Sequence, residues 1–157
     1  MLDITVDVRD DRWKKAVRTY RITIERSCQA AYKSQGKRKQ ELAVVLADDA
    51  FIKELNHTYR GKNKPTNVLS FHGEQGSLGD IILAFETITQ EADAQGKSLR
   101  HHMMHLLVHG VLHLMGYDHE EETQARKMEH IEIKILEKLG VSNPYLYAGR
   151  RSATLKA

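Results

Sequence analysis

The chain has 157 residues, of which 41% are hydrophobic and 29% charged, with a formal net charge of +3 and a sequence pI near 8.9. Such numbers fit one soluble domain with a real core, and the mild basicity permits a nucleic-acid partner without demanding one. They exclude an intrachain disulfide, because Cys28 is the sole cysteine, and a membrane helix, because no apolar run reaches the roughly 18 residues a span needs.

The N-terminus, MLDITVDVRDDR, carries acids where a secretory signal would be apolar. Together with the single cysteine this predicts a cytoplasmic protein in a reducing compartment. Residues 2–8 alternate apolar and polar, a strand. Trp13, Val17, Tyr20, Ile24, Cys28 and Ala31 then recur at helical spacing, so a helix is expected over 11–34 with Cys28 as a small core residue. SQGKRKQ reads as a basic turn and ELAVVLA as a buried strand. DDAFIKELNHTYRG reads as a helix opened by capping acids and closed by Gly61. NVLSFH and GDIILAF read as two strands of a hairpin. ETITQEADAQG is a short helix, and residues 98–115 form the most apolar helix of the chain, stopped by Gly116. Asp118, with Glu121 three residues on, predicts a capping box at the start of a last helix that ends at Gly140. The expected fold is an α+β single domain of about four strands and about five helices over residues 1–147, with a basic, disordered tail over 148–157.

Six of the nine histidines fall between His101 and His119. On a helix, side chains four apart share a face about 6 Å apart, so His109 and His113 can aim at one ion. His105 and His113 are about 12 Å apart along the axis and cannot share one. Gly116 can turn the chain back, and His119 then completes a three-histidine set. Three histidines and an open fourth position are the ligands of a catalytic zinc, whose bound water becomes a nucleophile near neutral pH. His101, His102 and His105 remain as surface or supporting residues.

The stretch HGVLHLMGYDH fits the zinc-peptidase pattern HExxHxxGxxH except at Gly110, where the peptidase glutamate should stand. That glutamate delivers a proton to a leaving amine, which an amide needs. A phosphodiester needs charge stabilisation more, so the substitution favours phosphoryl chemistry. Arg60, Lys62 and Lys64 read either as a solvated basic loop in which Arg60 stabilises the end of its helix or as phosphate contacts, for which the planar guanidinium of Arg60 suits two oxygens. Asn67 and Ser70 could add polar contacts. Asp118 is expected either to orient a ligand histidine or to cap a helix. Tyr59 and Tyr117 are expected in the core, with base stacking as the alternative.

HGVLHLMGYDH, together with NHTYRGKNKPTNVLSF and LGDIIL, resembles the YbeY family of bacterial endoribonucleases. The likeness runs from the strand near residue 42 to NPY at 143–145. It implies an α+β domain with a small mixed sheet. It implies a zinc-dependent, single-strand-specific endoribonuclease acting in 3′-end maturation of small-subunit ribosomal RNA and in ribosome quality control. One zinc ion would sit on His109, His113 and His119, Arg60 would be catalytic, and ribosomal RNA and small-subunit proteins would be the partners. Two departures stand out: Asn63 where the family often has Asp, and His72 where it often has Pro. A non-catalytic ribosome-assembly factor with a structural metal is the alternative, and a peptidase the third.

Overall fold

A computed structural model describes residues 1–34, 38–118, 120–147 and 150–151, with Tyr147, Arg150 and Arg151 described by backbone alone. Strand β1 (Leu2–Val8) leads into α1 (Arg12–Ala16) and α2 (Tyr20–Lys33). The single helix expected over 11–34 is therefore two. Val17 leaves the helical region at φ −129°, ψ 87°, and the buried indole of Trp13 donates to the Ala47 carbonyl at 2.9 Å. That tether holds α1 at the end of strand β2 (Gln40–Ala47), and the chain re-aims before α2 begins. Cys28 lies in the core as expected, and burial pushes its thiol pKa up, which keeps it unreactive.

Helix α3 (Asp49–Arg60) begins where the Asp48 side chain accepts from the Phe51 amide at 2.8 Å. It ends at Gly61, whose φ of 68° a side chain would resist. Strand β3 (Val68–His72) pairs antiparallel with β4 (Ser77–Ala84), the predicted hairpin. Helix α4 (Phe85–Ala94) follows, then α5 (Leu99–Leu114), capped by the Ser98 hydroxyl, and α6 (Glu122–Lys138). The expected capping box at Asp118 does not form: its carboxylate accepts from the Glu120 amide instead, and the helix begins at Glu122 with no side-chain cap. Residues 146–147 pair with 150–151 as strands β5 and β6. The remainder of the tail expected to be disordered, residues 148, 149 and 152–157, lies outside the described residues.

The four strands form one mixed sheet in the order β1-β2-β4-β3, parallel except for the β3–β4 pair. This is the expected α+β domain, with six helices among the described residues rather than five because the first is broken. One sheet face carries the main core, built with α2, α5 and α6; the other carries a smaller cluster in which Ile52 of α3 meets Leu69, Ile82 and Ala84. Helix α5 is the centre of the domain. Twelve of its sixteen residues are buried, so it is apolar nearly all round, interrupted by Arg100 and its histidines. Among the described residues no helix is long and apolar enough to cross a membrane.

Candidate metal and phosphate site

A histidine buried in an apolar helix costs free energy unless its ring nitrogens are satisfied. His102, His105 and His109 of α5 are met by carboxylates from neighbouring helices. His109 is fully buried, and its Nδ1 lies 3.1 Å from Glu132 Oε2 on α6. One turn earlier, His105 Nε2 lies 2.7 Å from Glu132 Oε1. The Tyr145 hydroxyl donates to the same oxygen at 2.6 Å. Glu132 is 1% exposed. Burial alone would raise its pKa, but His109 and His105 beside it outweigh burial and hold the carboxyl well below the ordinary range. An ionised carboxylate only accepts hydrogen bonds. Each ring must therefore carry its proton on the nitrogen that faces Glu132, which leaves Nε2 of His109 as the nitrogen able to accept. Orientation of a ligand imidazole by a buried carboxylate is the usual support of a metal-binding histidine.

Burial pushes His105 down to about 4 against the pull of Glu132, so its ring is neutral at pH 7. A folded pKa below the ordinary 6.5 means that the unfolded chain takes up a proton first as pH falls. This contribution to stability is complete above pH 6.5 and shrinks as pH drops toward 4, by up to about 3 kcal/mol. Urea titrations of metal-free protein across that range are expected to show the decline, and His105→Gln to flatten it. An unchanged slope in the variant would remove His105 as the cause.

His113 is the residue four beyond His109 on the same helix, so the two share a face. His72, at the end of β3, brings its ring centroid to 6.0 Å from that of His113. The third expected ligand, His119, lies outside the described residues. Among the described residues no three His, Cys, Asp or Glu side chains converge as a metal-binding group. The fit of a metal to this chain therefore rests on the imidazole pair and on the Glu132 contact, which prepares His109 for ligation.

Gly110 stands where α5 crosses the sheet. A Cβ there would come within 2.9 Å of Ile81 Cδ1 and 3.3 Å of Ser70 Oγ. Any side chain there must push aside the tip of Ile81, so the close packing of α5 on the sheet disfavours the long acid of the peptidase pattern.

Arg60 ends α3 on the other side of β3. Its Nη2 donates to the Ser70 carbonyl at 3.0 Å, and its guanidinium carbon lies 5.5 Å from the Phe71 ring centroid. Lys62 and Lys64 are exposed beside it. Ser70 and Asn67, expected as polar contacts, are both buried; Asn67 bonds Glu91 and the Val68 amide. His102 is buried and bonds Glu91 at 2.8 Å. His101 instead lines a cavity of about 600 Å³ with Lys97, Ser98 and Asn143, three turns of α5 from His113 and no part of the histidine pair. Tyr117 packs against the main core as expected, whereas Tyr59 is 69% exposed, against expectation.

Glu132 is a buried partner of His109 that the sequence did not single out; the acid considered there was Asp118. A signal existed. Ala125, Met128, Ile135 and Leu136 mark the buried stripe of α6, and Glu132 falls on it. A carboxylate within an apolar stripe needs a buried partner, and unassigned histidines were at hand.

A family model described as Endoribonuclease YbeY matches residues 5–140. A Rhodopseudomonas palustris protein named Endoribonuclease YbeY is 52% identical over 114 residues, which cover 67% of this chain and 60% of that protein's own length. One of the same name from Azorhizobium caulinodans is 42% identical over 153 residues, covering 92% of this chain and 96% of that protein. A solution structure of a Thermotoga maritima protein superposes with a TM-score of 0.61 at 27% identity, over 88% of this chain and 89% of the other. The family match spans most of the chain and includes the histidine motif, Arg60 and the strands between them: the chain belongs to the endoribonuclease YbeY family.

Proposed function

We propose that the chain is a zinc-dependent endoribonuclease that cuts single-stranded regions of small-subunit ribosomal RNA in 3′-end maturation, and that it serves ribosome quality control in the cytoplasm. The observation that supports the metal reading is the Glu132 contact, which orients the His109 ring so that Nε2 is the nitrogen that would ligate. His109, His113 and His119 would hold one zinc ion. Bound there, zinc would supply Lewis-acid stabilisation of the phosphodiester's developing charge.

The chain's own residues do the rest. Arg60 uses one N–H on the Ser70 carbonyl, which fixes its position. A guanidinium has five donors, so others remain for a phosphate oxygen. It thus holds the substrate's phosphate and steadies charge as the bond breaks. Gly110 contributes no proton, which agrees with an oxygen leaving group and not an amide nitrogen.

Elemental analysis of untagged protein is expected to give about one zinc per chain, lost in His113→Ala. Arg60→Ala is expected to keep the zinc and the fold while RNA cleavage falls about 100-fold, the usual cost of one lost charge-stabilising donor. Native cleavage by the Arg60 variant would overturn its role. Metal-free wild type, purified without chelator, would overturn the zinc site and leave an RNA-binding assembly factor as the better reading.

A further inference from the structure

We infer that Tyr59 and Phe71, with Arg60, form a base-stacking platform that receives one unpaired nucleotide of the RNA substrate next to the histidine site. The inference rests on the endoribonuclease reading and adds how the site would select unpaired RNA.

The Tyr59 ring is 69% exposed, yet it is held in place. Its centroid lies 5.6 Å from that of Phe71, with the planes 66° apart. Phe71 is anchored on β3 against the smaller core cluster, and Arg60 lies over the same ring at 5.5 Å. An exposed aromatic fixed by its neighbours has little rotamer freedom left to lose on binding. The surrounding segment, HTYRGKNK, carries Arg60, Lys62 and Lys64 and no acid. Its charge complements a phosphate backbone, and an aromatic face beside such charge suits a nucleobase.

The platform's place in the fold gives it a role. Successive side chains of a strand point to opposite faces. Phe71 faces α3, while Ser70 and His72 face α5, where Ser70 nears Gly110 and His72 nears His113. β3 is an edge strand of the sheet. Asn67 and Gly73 exchange backbone hydrogen bonds with β4. By antiparallel alternation the Ser70 carbonyl therefore points off the free edge, where Arg60 binds it. The platform and the histidines thus flank one strand, and Arg60 sits on the edge between them. A strand of RNA crossing that edge would stack a base on Tyr59, rest its phosphate on Arg60 and carry the next phosphodiester toward His113. A base already paired and stacked in a duplex could not turn onto Tyr59.

The test is fluorescence anisotropy with a labelled single-stranded oligoribonucleotide and a blunt RNA duplex of equal length, using the zinc-loaded full chain. Tyr59→Ala is expected to weaken single-strand binding about 10-fold or more while duplex binding and zinc content stay unchanged. Tyr59→Trp should bind as wild type, and its new indole emission should be quenched by the oligonucleotide over the steady background of buried Trp13. Equal single-strand affinity of wild type and Tyr59→Ala, or no single-strand binding by wild type, overturns the platform. Single-strand binding that depends on Tyr59 without any cleavage would keep the platform and overturn the nuclease reading instead.

Discussion

Glu132→Ala is expected to lower zinc affinity about 10- to 100-fold and to cost about 3–5 kcal/mol of stability. Both effects come from one buried carboxylate that accepts from His105, His109 and the Tyr145 hydroxyl. Its loss leaves three buried donors without their acceptor, each worth about 1–3 kcal/mol when unsatisfied. The His109 ring then loses the contact that fixes its tautomer, and part of its population presents the wrong nitrogen. Glu132→Gln separates the two roles. The amide keeps the volume and one acceptor, but its NH2 group opposes a ring N–H. Its zinc affinity should therefore fall nearly as far as that of Glu132→Ala, while its stability falls less. Chelator competition reads the first quantity and urea unfolding the second. Wild-type zinc affinity in both variants would mean that the Glu132 contact serves packing alone.

The way this site is assembled explains what could be read from residues alone. Local signals were sufficient for most features that depend on neighbours in sequence, the Asp118 capping box being the exception. The Asp48 cap, the Gly61 stop, the β3–β4 hairpin and the apolar span of α5 all formed where spacing placed them. The shared face of His109 and His113 is of this kind too, because helical geometry alone sets it. Features that depend on distant segments were not legible. The break at Val17 is tied to a carbonyl 34 positions beyond Trp13. The partner of His109 lies 23 residues away on another helix. Asp118, within the motif itself, drew attention first, and its carboxylate accepts from the Glu120 amide. Tyr59 was expected in the core, yet it sits near the end of α3, where its ring meets Phe71 edge to face and stays largely exposed.

Gly110→Glu, which would complete the peptidase pattern, is expected to cost more than 4 kcal/mol and to yield little folded protein. Typical domains hold only about 5–15 kcal/mol, so such a loss approaches the whole. The comparison with Gly110→Ala shows where the cost arises. An alanine Cβ meets the flexible tip of Ile81 at 2.9 Å and Ser70 Oγ at 3.3 Å. Overpacking costs about 1–3 kcal/mol, and alanine's helix propensity returns about 1, so the alanine variant should fold with a net loss within about 2 kcal/mol. Glutamate adds a three-atom stem and a carboxylate at a buried point between helix and sheet. Without a cationic partner, burial of that charge costs several kcal/mol more. Thermal unfolding of the two variants beside wild type measures the difference. A folded, zinc-bound Gly110→Glu protein that cleaves an unfolded polypeptide would show that the glycine was the only barrier to peptidase chemistry. Unfolding of Gly110→Glu alone, with Gly110→Ala folded and active on RNA, would show that the close approach of α5 to the sheet excludes a glutamate base from this site.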